Sequence, residues 1–363
     1  MIFLSRPQVD RRQIRAVKRV LKSGQLVQGP EVEAFEHEIC SELGVNYSVA
    51  VNSGTSALHL GLLAVGIGSG DEVIVPSFSF AATANAVVLS GAKVIFADIC
   101  ADDFGLNPAH VEALIGPRTK AVLAVHLYGH PARLEQLVEI CRRHRLLLFE
   151  DCAQALGAKE NGRPVGSFGE FGALSFYATK NVSCGEGGMI TTNNPELARR
   201  ARLLRNQGQA VRYRNEIVGF NNRLTDMQAA LGREQLRHLG LWVKKRQLNA
   251  RYFSESIRGI DLPSIRDGSH HSFNQYTIRV PSHKRQEFSE HLGNFGIQSS
   301  VYYPTPIHLL PSFREWIPQV VAESLPETIR AANEVLSLPV HPSLTKSQLR
   351  KIVNAVNSFF ENS

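Results

Sequence analysis

Four short segments carry residue types that could act together on one small, flat, anionic ligand. Lys180 ends the run Ser175-Phe176-Tyr177-Ala178-Thr179-Lys180 and precedes the glycine-rich Gly185-Glu186-Gly187-Gly188. Alone, such a lysine is an ordinary solvated charge; desolvated beside anion-binding groups, it becomes an amine nucleophile able to form a Schiff base. Asp151 closes the apolar run Leu146-Leu147-Leu148-Phe149-Glu150-Asp151, with Gln154 following. A carboxylate at a buried strand end needs a cation or strong donors, or else serves as a helix N-cap. Asn52-Ser53-Gly54-Thr55-Ser56 reads as a strand turning into a helix, whose first N–H groups and small hydroxyls suit a phosphate. Pro76-Ser77-Phe78-Ser79-Phe80 follows a further strand, and Phe80 could stack on a flat ligand or pack in the core.

One cofactor uses all four parts. Pyridoxal phosphate needs an anion cradle, a stacking ring, an acid against its pyridinium nitrogen and a lysine to attach to. The acid keeps that nitrogen protonated, so that the ring accepts electrons from a substrate carbanion. Other chemistries find no footing. Gly66-Ile67-Gly68-Ser69-Gly70 follows a helix and has Asp71 where a dinucleotide fingerprint needs glycine. No phosphate-binding G-x-x-x-x-G-K-[ST] motif occurs. His126 and His130 lack the intervening Glu of a zinc-protease pair and read as structural. The five cysteines, at 40, 100, 141, 152 and 184, form no C-x-x-C pair, so neither a metal site nor a disulfide framework is expected.

These segments require a frame that brings strand ends together. Candidate strands are Tyr47–Val51, Glu72–Val75, Lys93–Ala97, Ala121–Val125, Leu146–Phe149, Ala173–Phe176 and Met189–Thr192. Several are apolar at consecutive positions, as strands buried on both faces are. Helical patterns at Ser56–Val65, Ala81–Leu89, Pro108–Leu114 and Leu134–His144 alternate with them. The order predicts an α/β fold: a large, mostly parallel seven-stranded sheet covered by helices. Open sheets of this kind bind ligands at the carboxyl ends of their strands. A long helical stretch from Thr225 to Ser256 follows, then a strand at Gln275–Val280 and helices at His283–Leu292, Pro326–Leu336 and Lys346–Phe359. The expected division is a large domain over residues 1–245, with an N-terminal helix, and a smaller α+β domain over 246–363.

The composition is that of a globular chain: 363 residues, 43% hydrophobic and 20% charged. No run reaches the roughly 20 apolar residues of a membrane span, and the N-terminal residues lack a signal-peptide pattern. A reducing cytoplasm is the expected setting. The net charge of +7 admits nucleic acid, small anions or idle surface. Of the two densest basic stretches, Arg11, Arg15, Lys18 and Lys22 line one helical face opposite Ile14, Val17, Val20 and Leu21. The other, Arg199 to Arg214, is also interspersed with leucines. Both read as solvated helix faces, so neither nucleic acid nor a membrane is an expected partner.

Several longer runs carry a family resemblance. They are Gly29-Pro30-Glu31-Val32-Glu33-Ala34-Phe35-Glu36, Ser53-Gly54-Thr55-Ser56-Ala57-Leu58-His59, Glu150-Asp151-Cys152-Ala153-Gln154, Gly219-Phe220-Asn221-Asn222-Arg223 and Tyr302-Tyr303-Pro304-Thr305-Pro306-Ile307-His308-Leu309. With the Phe80 and Lys180 segments, they closely resemble the DegT/StrS family of nucleotide-sugar aminotransferases, in the family's order along the whole chain. The resemblance implies a fold-type-I homodimer with active sites shared between subunits, and pyridoxal 5'-phosphate attached at Lys180. It implies that Asp151 pairs with the pyridinium nitrogen and that Gln154 lies near the ring hydroxyl. Phe80 takes the stacking position, while Gly54, Thr55 and Ser175 bind phosphate, joined by Asn221 from the neighbouring subunit. His308, Tyr303 and Gly29 fall at the sugar-nucleotide site. The implied reaction moves an amino group from L-glutamate to a keto-deoxysugar nucleotide, C4 favoured over C3.

Two segments depart from the family pattern: Asn206-Gln207-Gly208 has Gln where the family has His, and in Gly219-Phe220-Asn221-Asn222-Arg223 Phe220 and Asn222 replace two tyrosines. Two alternatives remain. A sugar dehydratase of the same fold would carry His in place of Lys180. A non-enzymatic nucleic-acid-binding regulator would have no use for Lys180 or Asp151.

Overall fold

A computed structural model describes residues 1–316 and 325–360. Two helices open the chain, α1 (Arg11–Ser23) and α2 (Pro30–Leu43). An alternating run follows: β1 (Tyr47–Val51), α3 (Gly54–Ala64), β2 (Glu72–Pro76), α4 (Ala82–Leu89), β3 (Lys93–Ala97), α5 (Pro108–Ala113) and β4 (Thr119–Val125). It continues with α6 (Leu134–His144), β5 (Leu147–Asp151), two-residue strands β6 (Lys159–Glu160) and β7 (Arg163–Pro164), β8 (Phe171–Ser175) and β9 (Gly188–Thr192). All seven strands read from the sequence exist, and they form one sheet in the order β1-β9-β8-β5-β4-β2-β3.

Pairing in that sheet is parallel except for β9, which runs antiparallel to both β1 and β8. Six strands therefore point the same way, and their carboxyl ends share one edge with the start of β9. Side chains alternate between two apolar layers, one holding Ala50, Ile74, Val122, Leu148 and Leu174, the other Val49, Val73, Leu123, Phe149 and Ala173. Burial on both faces explains the unbroken apolar runs.

After the sheet come α7 (Pro195–Arg205), the hairpin β10 (Gln209–Val211) and β11 (Arg214–Asn215), α8 (Asp226–Leu236) and α9 (Leu239–Ser256). The stretch expected as one long helix is thus two. Arg237 and His238 between them keep right-handed helical dihedrals, so no capping residue marks the break. The last elements are β12 (Ser269–His270), β13 (Tyr276–Arg279), α10 (Arg285–Asn294), α11 (Pro326–Glu334), β14 (Val335–Leu338) and α12 (Lys346–Phe360). The helix expected over Pro326–Leu336 stops at Glu334, because Val335–Leu338 pair antiparallel with β13. A third core joins Ile2, Phe253, Tyr276, Phe288, Leu336 and Val356. On α1 the expected apolar face is also revised: Ala16 and Val20 pack against α8, whereas Ile14 and Leu21 stay exposed.

Candidate active site

The shared edge gathers the segments that could do chemistry. β8 ends at Ser175 and leads through a turn, with the Lys180 N–H donating to the Tyr177 carbonyl at 3.0 Å. Asn181 anchors this turn, donating to the Leu156 carbonyl and accepting from Asn274 at 3.1 and 3.2 Å. Lys180 as a whole is only part-buried, yet burial of its ammonium pulls the pKa down to about 8 against the opposing field of Asp151. Near neutrality, a useful fraction of Lys180 is therefore the free amine that a Schiff base requires.

Asp151 ends β5 almost fully buried. Its Oδ1 accepts the Ala153 N–H at 3.1 Å, and its Oδ2 accepts the Thr83 hydroxyl at 2.8 Å. Burial pushes the carboxyl above its usual range, while Ala153, Thr83 and Lys180 pull the other way. Such a carboxylate is short of positive charge, and a protonated ring nitrogen would supply it.

The helix start expected to cradle an anion is that of α3. Ser53 is its N-cap, its hydroxyl accepting the Ser56 N–H at 3.1 Å. First-turn N–H groups such as those of Gly54 and Thr55 have no acceptor within the helix and favour an anion. Ser175 lies against this turn: a Cβ on Gly54 would sit 2.8 Å from the Ser175 Cβ. Opposite, a Cβ on Gly188 would meet the Ser53 carbonyl oxygen at 2.2 Å, so this glycine permits the two backbones to close up.

Gln154 is oriented by its neighbours. Its Oε1 accepts the Tyr128 N–H at 2.8 Å, which leaves its amide nitrogen to donate to the Tyr303 hydroxyl at 3.0 Å. Tyr303 in turn lies 5.8 Å, ring to ring, from Phe80, which is 58% exposed at the mouth of the site. Lys180, Asp151, Gln154, Tyr303 and Phe80 thus form one group, with Gly54, Thr55 and Ser175 beside it on the same edge.

Three expected site residues lie apart from this group. His308 is 3% exposed, with its ring nitrogen and its backbone N–H both on the Ser77 hydroxyl. Gly29 donates its N–H to the buried Asp226 carboxylate at 2.8 Å, and a side chain there would strike the same carboxylate. Asn221 is exposed and bridges backbone to backbone with Asn206.

The residues missed in the sequence are the hydroxyls of Ser79 and Thr83, and Glu150. A small-polar pair spaced i, i+4 across a helix start is the one signal for the first two. Among the described residues, His126, Glu150 and Cys152 cluster closely enough to suggest a metal. Glu150, however, is saturated by the N–H groups of Gly166, Phe168 and Gly169 and by His126 Nε2. His126 Nδ1 accepts the Ala132 N–H, so the ring is the neutral Nε2–H tautomer, and its reading as structural stands.

The arrangement fits pyridoxal phosphate: a buried carboxylate with no direct ion pair among the described residues, a lysine with a depressed pKa, and a cradle that a single Cβ on Gly54 would fill. With the seven-stranded sheet, these features define a fold-type-I, pyridoxal-phosphate-dependent transferase. Residues 7–357 match the model of the DegT/DnrJ/EryC1/StrS aminotransferase family, and the chain belongs to it. A dTDP-3-amino-3,4,6-trideoxy-alpha-D-glucose transaminase of Streptomyces venezuelae is 42% identical over 95% of this chain and 91% of its own. A protein named pleiotropic regulatory protein in Geobacillus stearothermophilus is 39% identical over 96% and 94%. The solved structure of S. venezuelae DesV superposes with a TM-score of 0.92 at 41% identity, covering 96% of this chain and 94% of that one. No helix among the described residues is long and apolar enough to cross a membrane.

Proposed function

We propose that this aminotransferase moves an amino group from L-glutamate to the keto carbon of a nucleotide-linked 6-deoxy sugar. The observation that carries the reading is the pairing, at one sheet edge, of buried Asp151 with Lys180, whose pKa is about 8. Pyridoxal phosphate, when bound, supplies an electron-accepting ring and holds the nitrogen between the two substrates. Lys180 attaches it. Freed as an amine by the incoming donor, Lys180 takes the proton from the donor's α-carbon and later supplies one to the acceptor's former keto carbon. A pKa near 8 suits both tasks, since amine and ammonium are both populated near neutrality. Asp151 would hold the proton on the ring nitrogen, and Gln154 would offer its remaining amide N–H to the ring hydroxyl. Phe80 would cover the ring, while Gly54, Thr55 and Ser175 would hold the phosphate.

The working unit we propose is a homodimer, in which Asn221 of a second copy completes the phosphate site. Exposed apolar side chains on and after the β10–β11 hairpin support it: Val211, Tyr213 and Val218 are 60%, 80% and 91% exposed. Tyr303, His308 and Gly29 are assigned to the sugar side, His308 acting through Ser77. The division into residues 1–245 and 246–363 falls inside α9, and the separate core around Phe253 and Tyr276 supports it.

The sequence reading favours C4 as the carbon aminated. The name of the 42% identical relative points to C3 and a dTDP carrier, so dTDP-3-keto and dTDP-4-keto sugars head the acceptor panel. Purified protein loaded with pyridoxal phosphate should lose its visible band on addition of L-glutamate. One keto-sugar nucleotide should restore it and leave an amino sugar detectable by mass spectrometry. A band unresponsive to glutamate and to every acceptor, in a protein that shifts DNA at low salt, would favour the regulator instead.

A further inference from the structure

The loop that carries Phe80 also reaches the floor of the site. Ser79 and Thr83 flank Phe80 and the first turn of α4, and both are almost fully buried, at 4% and 1% exposure. Their hydroxyl oxygens lie 3.0 Å apart, and the Thr83 hydroxyl lies 2.8 Å from Asp151 Oδ2. An ionised carboxylate only accepts hydrogen bonds, so the single Thr83 proton points to Asp151. Thr83 then accepts from Ser79, and the direction of the relay is set from Ser79 to Thr83 to Asp151. Were Asp151 protonated, it could donate to Thr83 and the relay would reverse.

We propose that Thr83, supported by Ser79, is the positioning residue that keeps Asp151 ionised and aimed at the cofactor's ring nitrogen. This rests on the reading of Asp151 given above. Three features carry it. Besides Thr83, the one further donor to the Asp151 carboxylate among the described residues is the Ala153 N–H, bound to the other oxygen. Without Thr83, Oδ2 would be left in a buried place with no donor, and a carboxylate there favours its neutral form. The neutral acid cannot balance a pyridinium. Second, Thr83 is β-branched and sits in the first turn of α4, where its side-chain rotamers are few, so the hydroxyl is held rather than free to swing. Third, Ser79 and Phe80 are adjacent in sequence. One turn therefore carries both the exposed Phe80 ring and the buried relay, so displacement of either disturbs both. Lys180, His126 and Tyr303 also face Asp151, but none of them donates a hydrogen bond to its carboxylate.

The test uses the full-length protein, freed of cofactor and reloaded. Variants Thr83→Val, Thr83→Ser and Ser79→Ala are compared for the dissociation constant of pyridoxal phosphate, followed by quenching of intrinsic fluorescence. The pH dependence of the bound cofactor's visible band, and kcat and KM for glutamate, complete the set. Removing a hydrogen bond to a charged group should weaken cofactor binding about tenfold and lower kcat by at least as much in Thr83→Val. KM should change little, and the visible band should titrate at a different pH. Thr83→Ser, which keeps the hydroxyl, should recover most of the loss, with Ser79→Ala in between. Wild-type affinity, kcat and pH profile in Thr83→Val would overturn the proposal. So would a Thr83→Ser as impaired as Thr83→Val, since packing would then be the cause. If Thr83→Val does not fold, Thr83→Ser and Ser79→Ala decide by the same readouts: unchanged Ser79→Ala with impaired Thr83→Ser overturns it. Failure of the wild-type protein to bind pyridoxal phosphate at all would overturn the functional reading instead.

Discussion

Glu150 and Asp151 are neighbours on one strand, both carboxylates and both almost fully buried, yet their surroundings are opposite. Adjacent side chains on a strand point to opposite faces. Glu150 falls on the face where the Gly166–Gly169 loop folds back, and it collects three backbone N–H groups and His126. Burial would raise its pKa, but those donors outweigh burial and hold it below the ordinary range. Asp151 faces α4 and finds one backbone N–H and one hydroxyl, so burial wins and its pKa rises. A carboxylate fully supplied with donors ties a loop to the sheet and has nothing left to offer. One left undersupplied is destabilised until a cation arrives, which is what a cofactor site requires.

The comparison can be broken at several points. The largest effect is expected from Lys180→Ala, which should lower transaminase turnover by more than about 1,000-fold. It should leave the circular-dichroism spectrum unchanged; measurable turnover near the wild-type rate would remove Lys180 from the chemistry. Next come the two carboxylates. Glu150→Gln sets an amide NH2 against backbone donors and should cost about 3 kcal/mol in urea unfolding. Asp151→Asn should leave the cofactor-free protein at least as stable as wild type while abolishing turnover. Equal destabilisation by both would erase the distinction. A smaller loss, about tenfold in affinity for pyridoxal phosphate, is expected for Gly54→Ala, whose new Cβ would press on Ser175.

Further effects are expected in the pH dependence of the cofactor-free protein. Lys180 has a folded pKa near 8 against 10.5 for the free side chain, so the unfolded chain binds more protons between them. Stability from this group should therefore rise from about pH 8 to 10.5, and Lys180→Ala should flatten that rise. On the acid side the carboxylates oppose each other. Glu150 contributes stability above its free value of 4.5 that is lost as pH falls through its lower folded value. Asp151 is raised above 3.8, so its share falls as pH climbs through that range. Urea titrations of Glu150→Gln and Asp151→Asn between pH 3 and 6 should shift with opposite signs.

The residues most legible in the sequence were those whose local setting already constrained them. Asp151 and Ser175 end apolar strands, Gly54 opens a helix, and Lys180 precedes a glycine run; each signal is local. Thr83 was not legible, because its role depends on α4 crossing the end of β5, 68 residues away in sequence. Glu150 carries no such local signal, since its donors come from a loop with no motif. The first two residues of β14, Val335 and Leu336, read in the sequence as the end of a helix, because so short an apolar run fits either period until a partner strand is present. The pattern places Ile14 and Leu21 on the apolar face of α1, but hydrophobic pattern alone does not say how wide a face the neighbouring helix covers.

What the amino-acid order determined by itself was periodicity, turn positions and residue chemistry. Those were enough for seven buried strands, a lysine, an acid and an anion cradle at strand ends. What the tertiary structure alone decided was which carboxylate is satisfied and which is left wanting. The reason is physical: desolvation and hydrogen-bond supply depend on groups brought within about 3 Å by packing. Chain positions 79, 83, 150, 151 and 166–169 become neighbours only when the sheet has formed.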